Sequence, residues 1–252
     1  MHPVLFSLGH INVYSYGLMV ALGFIAASLL SSKLAEKEGV DPDKIIDICL
    51  LILVAGIIGA RLFYVITNFD YYRNDVIGIL RLTDGGLAFY GGFFFALFFS
   101  VFYAFRKKLS VWRIGDIIAP YAALGHSIGR IGCFLNGCCY GGPTDLPWGV
   151  IFPGSRTIVH PTQIYASLDS LAIFIILRYV YPKRSFSGQV FLGYFLLYGA
   201  SRFFEELIRR DSPRILYGLT IWQVISLCVF AAALMIYIYR GIAWKSIRSR
   251  QK

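Results

Sequence analysis

Charge is scarce in this chain. Of its 252 residues 15% are Asp, Glu, Lys or Arg, while 57% are hydrophobic. Soluble domains carry about 25% charged residues, so an ordinary water-soluble fold is excluded. The mean hydropathy of +0.64 agrees. The chain also lacks internal repeats, low-complexity tracts and any polar stretch long enough for a soluble domain. There is no Ser-His-Asp order, no Walker loop and no standard zinc-ligand spacing. Cys133, Cys138 and Cys139 with His126 imitate a metal cluster, but their spacing fits no known pattern, so neither metal nor cofactor is expected. The N-terminus has no basic segment before its first apolar run and no small-residue cleavage site after it. That run reads as a retained span.

What is present is apolar length. A bilayer is crossed by about 20 apolar residues, and seven stretches qualify: Val13–Leu30, Ile45–Ile66, Leu87–Phe105, Ile117–Leu135, Ile164–Tyr181, Val190–Phe204 and Leu219–Tyr239. The expectation is an all-α polytopic membrane protein, one integral domain over residues 1–252. The fourth and sixth stretches are short or interrupted by polar residues, which marks them as cavity-lining. The net charge of +10 does not call for nucleic acid. The basic residues cluster between spans, as in loops facing anionic lipid. Lys33, Lys37, Lys44, Arg106, Lys107, Lys108, Lys183, Arg184 and the basic tail fall on one set of loops. The other set is poorer in them. The positive-inside rule then predicts the N-terminus outside and the C-terminus inside.

One stretch stands apart. Gly129-Arg130-Ile131-Gly132-Cys133-Phe134-Leu135-Asn136-Gly137-Cys138-Cys139-Tyr140-Gly141 starts in the fourth span and ends in a loop. An arginine inside a membrane costs about 2.5–3.5 kcal/mol at a helix centre, so Arg130 needs a protein partner or an anionic ligand. Glycines let a backbone or ligand come close. Arg61, Arg202 and Arg209 are expected at the same outer-leaflet depth, with Arg202, Glu206 and Arg209 on one helical face. Guanidinium binds phosphate bidentately and stays charged, and the phosphate at that depth is a lipid headgroup. Paired glycines around Tyr90 suit a bending backbone, and Tyr14 and Tyr16 suit an interfacial aromatic belt. The loop from Gly142 to Gln163 reads as a lid or inserted element. Clustered thiols admit a redox alternative, with Cys133 and Cys138 the easier pair to link. A third alternative is a transporter or lipid-binding protein. Cys49 and Cys228 read as small core hydrophobes.

The motifs together resemble the prolipoprotein diacylglyceryl transferase family over nearly the whole chain. Tyr16-Gly17-Leu18-Met19 is similar to its first-span Tyr-Gly motif, and Gly59-Ala60-Arg61 to its Gly-x-Arg. Gly85-Gly86-Leu87-Ala88-Phe89-Tyr90-Gly91-Gly92 resembles Gly-Gly-x-x-Phe-His-Gly-Gly. Gly129 to Gly141 resembles the signature Gly-Arg-x-Gly-Asn-Phe-x-Asn-x-Glu-x-x-Gly. His160-Pro161-Thr162-Gln163-Ile164-Tyr165 is similar to His-Pro-Ser-Gln-Leu-Tyr, and Arg202-Phe203 with Glu206 and Arg209 to Arg-Phe-x-x-Glu-x-x-Arg. The resemblance implies a transferase in a bacterial inner membrane. It would move a diacylglyceryl group from phosphatidylglycerol to the lipobox cysteine in the signal-peptide segment of a preprolipoprotein. It implies that Arg130 and Arg209 stabilise the phosphate. Tyr16, Asn136 and Gly141 would shape the lipid site, with Arg61, Cys133 and His160 also facing substrate, and Arg202 and Glu206 would support them. The chain departs at three positions. Cys133 stands for asparagine, Cys138 for glutamate and Tyr90 for histidine, so the catalytic set becomes Arg130, Arg209, Tyr90 and Cys138. With these departures, a different acceptor is a further alternative.

Overall fold

The computed structural model describes residues 2–8, 11–73, 77–81, 85–209 and 214–250. Among them helices dominate. The long ones are α1 (Ser15–Lys37), α2 (Pro42–Thr67), α4 (Phe89–Arg106), α5 (Val111–Asn136), α6 (Thr162–Val180), α7 (Gln189–Ile208) and α8 (Ile221–Arg250), with a one-turn α3 (Phe69–Tyr72). Each matches one apolar stretch of the sequence. Five of them, α1, α2, α4, α6 and α8, are long and apolar enough to cross a membrane. α5 and α7 are long enough but too polar. They carry Asp116, His126 and Arg130 on one, and Arg202, Glu205 and Glu206 on the other.

Several boundaries differ from the expected spans. Val13 lies in a strand, because β1 (Val4–Leu8) and β2 (Ile11–Tyr14) form an antiparallel hairpin ahead of α1. The Ser15 N–H donates to the Pro3 carbonyl at 2.9 Å and ties the hairpin base to the helix start. α4 begins at Phe89, since Gly85 and Gly86 are left-handed (φ +77° and +78°). α7 runs past Phe204 and takes in both glutamates. Leu219–Thr220 forms β4, paired with β3 (Arg214–Leu216). α8 starts on a capping box, in which the Thr220 N–H donates to Gln223 Oε1 (3.0 Å) and the Gln223 N–H to Thr220 Oγ1 (3.3 Å).

The chain packs as two compact units, Ser32–Ile114 and the combination of Met1–Ser31 with Gly115–Lys252. In the first, α2 and α4 touch backbone to backbone. A Cβ on Gly59 would lie 2.6 Å from the Gly91 carbonyl oxygen, and one on Gly92 would lie 2.8 Å from that of Gly56. This is small-residue helix packing, the form association takes where water supplies no hydrophobic drive. Outward faces of α4 carry Phe93, Phe94, Phe98 and Phe105, all exposed, as lipid-facing side chains would be.

In the other unit α5 is the hub. Gly23 and Gly125 bring α1 against it, since a Cβ on Gly23 would sit 2.6 Å from the Gly125 oxygen. His126 Nδ1 pairs with Ser170 Oγ (2.8 Å), and Ser127 Oγ donates to the Ser167 carbonyl (2.8 Å), joining α5 to α6. Buried Asp116 accepts from the N–H groups of Gly188, Val190 and Phe191, capping α7. Cys49 is buried as expected, but Cys228 is on an exposed apolar face rather than in the core.

Candidate active site

α5 ends in a tight reversal. Gly137 is left-handed (φ +77°), and the N–H groups of Gly137 and Cys138 both donate to the Cys133 carbonyl (3.0 and 3.2 Å), a Schellman-type stop. Cys139 follows, also left-handed at φ +64°, a conformation that non-glycine residues avoid. The turn is held from outside. Gln163 Nε2 donates to the Cys138 carbonyl (2.6 Å) and Thr162 Oγ1 to that of Cys139 (2.7 Å). Those two residues start α6 and belong to the His160–Tyr165 motif. The sulfur atoms of Cys133, Cys138 and Cys139 consequently lie within 4.8 Å of one another.

The next residues close a clasp. The Gly141 N–H donates to the His160 carbonyl (2.9 Å), and the His160 N–H to that of Gly142 (3.0 Å). A Cβ on Gly141 would meet Thr162 Cγ2 at 2.8 Å and His160 Cβ at 2.9 Å, so the position requires glycine. His160 Nδ1 is 3.4 Å from the Tyr165 hydroxyl, which accepts from Trp148 Nε1 (2.7 Å). The Gly142–Gln163 connection is no open loop. Val150 and Val159 bridge, and Phe152 is buried against Tyr140 and Phe134.

One turn before Cys133, Arg130 faces α7. Its Nη2 is 3.8 Å from Glu205 Oε2. Glu205 is also 3.7 Å from Arg202 Nη1, and Arg202 Nη2 pairs with Glu206 at 2.6 Å. Glu206, fully buried, accepts from Thr220 Oγ1 (3.2 Å). Arg202 also sits over the Trp222 ring. The chain of pairs runs Arg130, Glu205, Arg202, Glu206. It contains the expected Arg202–Glu206 network and adds Glu205. The sequence offered only one hint of that residue, its position three beyond Arg202. The Arg130 side chain is 14% exposed, yet its Nε–H is buried without a hydrogen-bond acceptor among the described residues. A largely enclosed guanidinium with one long ion pair among the described residues keeps donors for an anion.

Tyr16 adjoins the same helix. α5 passes so close that a Cβ on Gly132 would lie 3.2 Å from Tyr16 Cα and 2.9 Å from Met19 Cβ. The Tyr16 ring is half exposed. The Asn136 side chain hydrogen-bonds Cys138.

Arg61 and Tyr90 belong to the Ser32–Ile114 unit. Arg61 is buried, not snorkelling, and not presented to a headgroup as expected. Its Nε donates to the Ile79 carbonyl, Nη1 to those of Gly85 and Gly86, and Nη2 to those of Gly78 and Arg81. An arginine has five N–H donors, and the loop accepts from all of them. Arg61 therefore builds the glycine loop. A Cβ on Gly86 would strike the Tyr64 ring at 2.5 Å and Arg61 Nη1 at 2.8 Å. Tyr90 opens α4 directly beyond that loop, with 41% of its surface exposed.

Acidity differs sharply between the two loop cysteines. The Cys139 thiol is pulled down to about 5, because the Cys133 thiol hydrogen-bonds to it, Cys138 adds a second such bond, and the Arg209 and Arg130 guanidiniums lend positive field. Burial pushes Cys138 the other way. Cys139, not Cys138, is thus the thiolate near neutral pH. Since the thiolate is the nucleophile, iodoacetamide should alkylate Cys139 at pH 6 while Cys138 stays unmodified. Peptide mass mapping reads this directly, and labelling of Cys138 first would reverse the assignment.

A family model of prolipoprotein diacylglyceryl transferase matches residues 3–239. The chain belongs to that family. It is 39% identical over 239 residues to the phosphatidylglycerol–prolipoprotein diacylglyceryl transferase of Finegoldia magna, covering 94% of this chain and 95% of that protein. It is 34% identical to the enzyme of the same name from Clostridioides difficile, covering 95% of each. It is 36% identical to that from Clostridium tetani, covering 94% and 97%. Within the transferase family frame, the signature's Asn and Glu positions, here Cys133 and Cys138, are two corners of the sulfur triangle. Tyr90 lies in the other unit.

Proposed function

We propose that the chain transfers the diacylglyceryl group of phosphatidylglycerol to the lipobox cysteine of a preprolipoprotein. Arg130 carries this reading. It is largely enclosed, only loosely paired, and keeps a buried N–H with no acceptor among the described residues, which suits the phosphate of a lipid headgroup. In the reaction the acceptor sulfur bonds to the terminal glycerol carbon. The bond from that carbon to the phosphate oxygen breaks, and glycerol phosphate leaves with the electron pair. Charge grows on the phosphate as that bond breaks, and a preorganised guanidinium stabilises it. Arg209 adds positive charge from the end of α7. Arg202 and Glu206 fix Glu205, which sets the orientation of Arg130. Tyr16, Asn136 and Gly141 border the lipid, and His160 the peptide. Cys139, drawn toward its thiolate form, is the available though weaker base for the acceptor thiol's proton, and Tyr90, in the other unit, stands at the family's histidine position. Arg61 serves indirectly by holding the glycine loop.

All seven long helices cross the inner membrane in this reading, with the N-terminus outside. The polar α5 and α7 are shielded by their neighbours. The partners are phosphatidylglycerol, the signal-peptide segment and the surrounding lipids. The test is mass analysis after mixing purified protein, phosphatidylglycerol and a lipobox peptide. The expected product is a peptide heavier by one diacylglyceryl group, with free glycerol phosphate. An unchanged peptide with intact lipid rejects the proposal. Cys139→Ser should lower kcat/KM more than Cys138→Ser. The reverse ranking would return the proton to Cys138.

A further inference from the structure

The sulfur triangle fits a use that proton transfer does not exhaust. We infer that Cys133, Cys138 and Cys139 form a three-thiolate site for one soft closed-shell cation, of the zinc, cadmium or copper(I) class. Three sulfurs each about 2.3 Å from a shared ion lie about 3.8–4.0 Å apart. These three lie within 4.8 Å of one another, so closing on an ion takes small rotations rather than a refolded loop. The scaffold is built in advance. Gly137 and Cys139 both adopt left-handed backbone to turn the chain back on α5. Gln163 and Thr162 hold the carbonyls of Cys138 and Cys139 from outside, the kind of outer support that fixes metal ligands. One corner, Cys133, is buried, and the other two are partly open, which gives an ion a way in.

Charge is also met. A divalent ion with three thiolates carries one net negative charge, and Arg130 and Arg209 both act electrostatically on Cys139. Soft thiolate donors favour these ions over magnesium or calcium. Thiols still protonated release their protons on binding, so no oxidant or reductant is required. A disulfide would use two corners and leave the third sulfur without a role.

The probe is cadmium ion, added to the purified, reduced, full-length protein in detergent. The expected result is a thiolate-to-cadmium ultraviolet band that saturates at one ion per chain and is unchanged in Cys49→Ser and Cys228→Ser. Cys133→Ser, Cys138→Ser and Cys139→Ser should each weaken binding at least tenfold. Should those variants fold poorly, the unaltered protein still decides. Cadmium should protect Cys133, Cys138 and Cys139 from alkylation, read by peptide mass, while Cys228 stays reactive. Equal labelling of the three with and without cadmium overturns the site. So does a band that survives their joint replacement, or a disulfide among them that resists reductant. None of these readouts depends on transfer activity.

Discussion

Arg130→Ala is expected to cut diacylglyceryl transfer about a hundred- to a thousandfold, the range for losing one preorganised donor to developing charge. Three features of this one side chain set the expected loss. It is almost enclosed, its one ion pair among the described residues is the 3.8 Å contact with Glu205, and its Nε–H lacks an acceptor among them. Removing it still leaves Glu205 paired with Arg202. Folding should therefore suffer less than turnover, and near-normal helix content with lost activity is the expected pair of readings. Arg130→Lys should recover part of the rate, because it restores charge without the planar fork. Full turnover in the alanine variant would remove the phosphate role.

Arg61→Ala should do the opposite, destroying stability rather than chemistry. Five carbonyl oxygens around residues 78–86 accept from this one buried guanidinium. One of these contacts is buried and four are partly buried, and an acceptor left unmet where water cannot replace the donor costs about 1–3 kcal/mol. Even partial solvation leaves a loss of about 3–5 kcal/mol, a large share of a typical 5–15 kcal/mol stability. Thermal unfolding in detergent measures it. Arg61→Lys offers three donors for five acceptors and should fall between. An alanine variant as stable as the parent would mean the loop does not depend on this residue.

Much of the fold was legible because apolar run length reports helix existence directly. Each of the seven stretches holds a helix, and the two singled out as polar, α5 and α7, are the two that fall short of membrane hydropathy. The edges were less legible. Backbone signals such as the left-handed Gly85 and Gly86, or the Thr220–Gln223 box, cut across the apolar pattern. At the site, the Arg202–Glu206 pair followed from helical spacing. Glu205's contact with Arg130 did not, since it joins residues 75 positions apart through packing of α5 on α7. Arg61 was misjudged for a related reason. A sequence shows that an arginine is buried only by its neighbours' polarity, and here the neighbours are main-chain oxygens that no residue name reveals. The cysteines were dismissed as metal ligands on spacing alone. Their convergence depends on two left-handed residues and on pegs from Thr162 and Gln163, none of which spacing encodes.

The clasp between Gly141, Gly142 and His160 has one more consequence. The segment from 143 to 159 leaves and returns at virtually the same point, so its two ends are tied by main-chain bonds whatever lies between them. Lengthening such an excursion adds little closure entropy, about 0.6 kcal/mol per doubling. Within it Phe152 is anchored against Tyr140 and Phe134 and Val150 bridges Val159, so insertions away from those anchors can be accepted while the clasp keeps both ends in place.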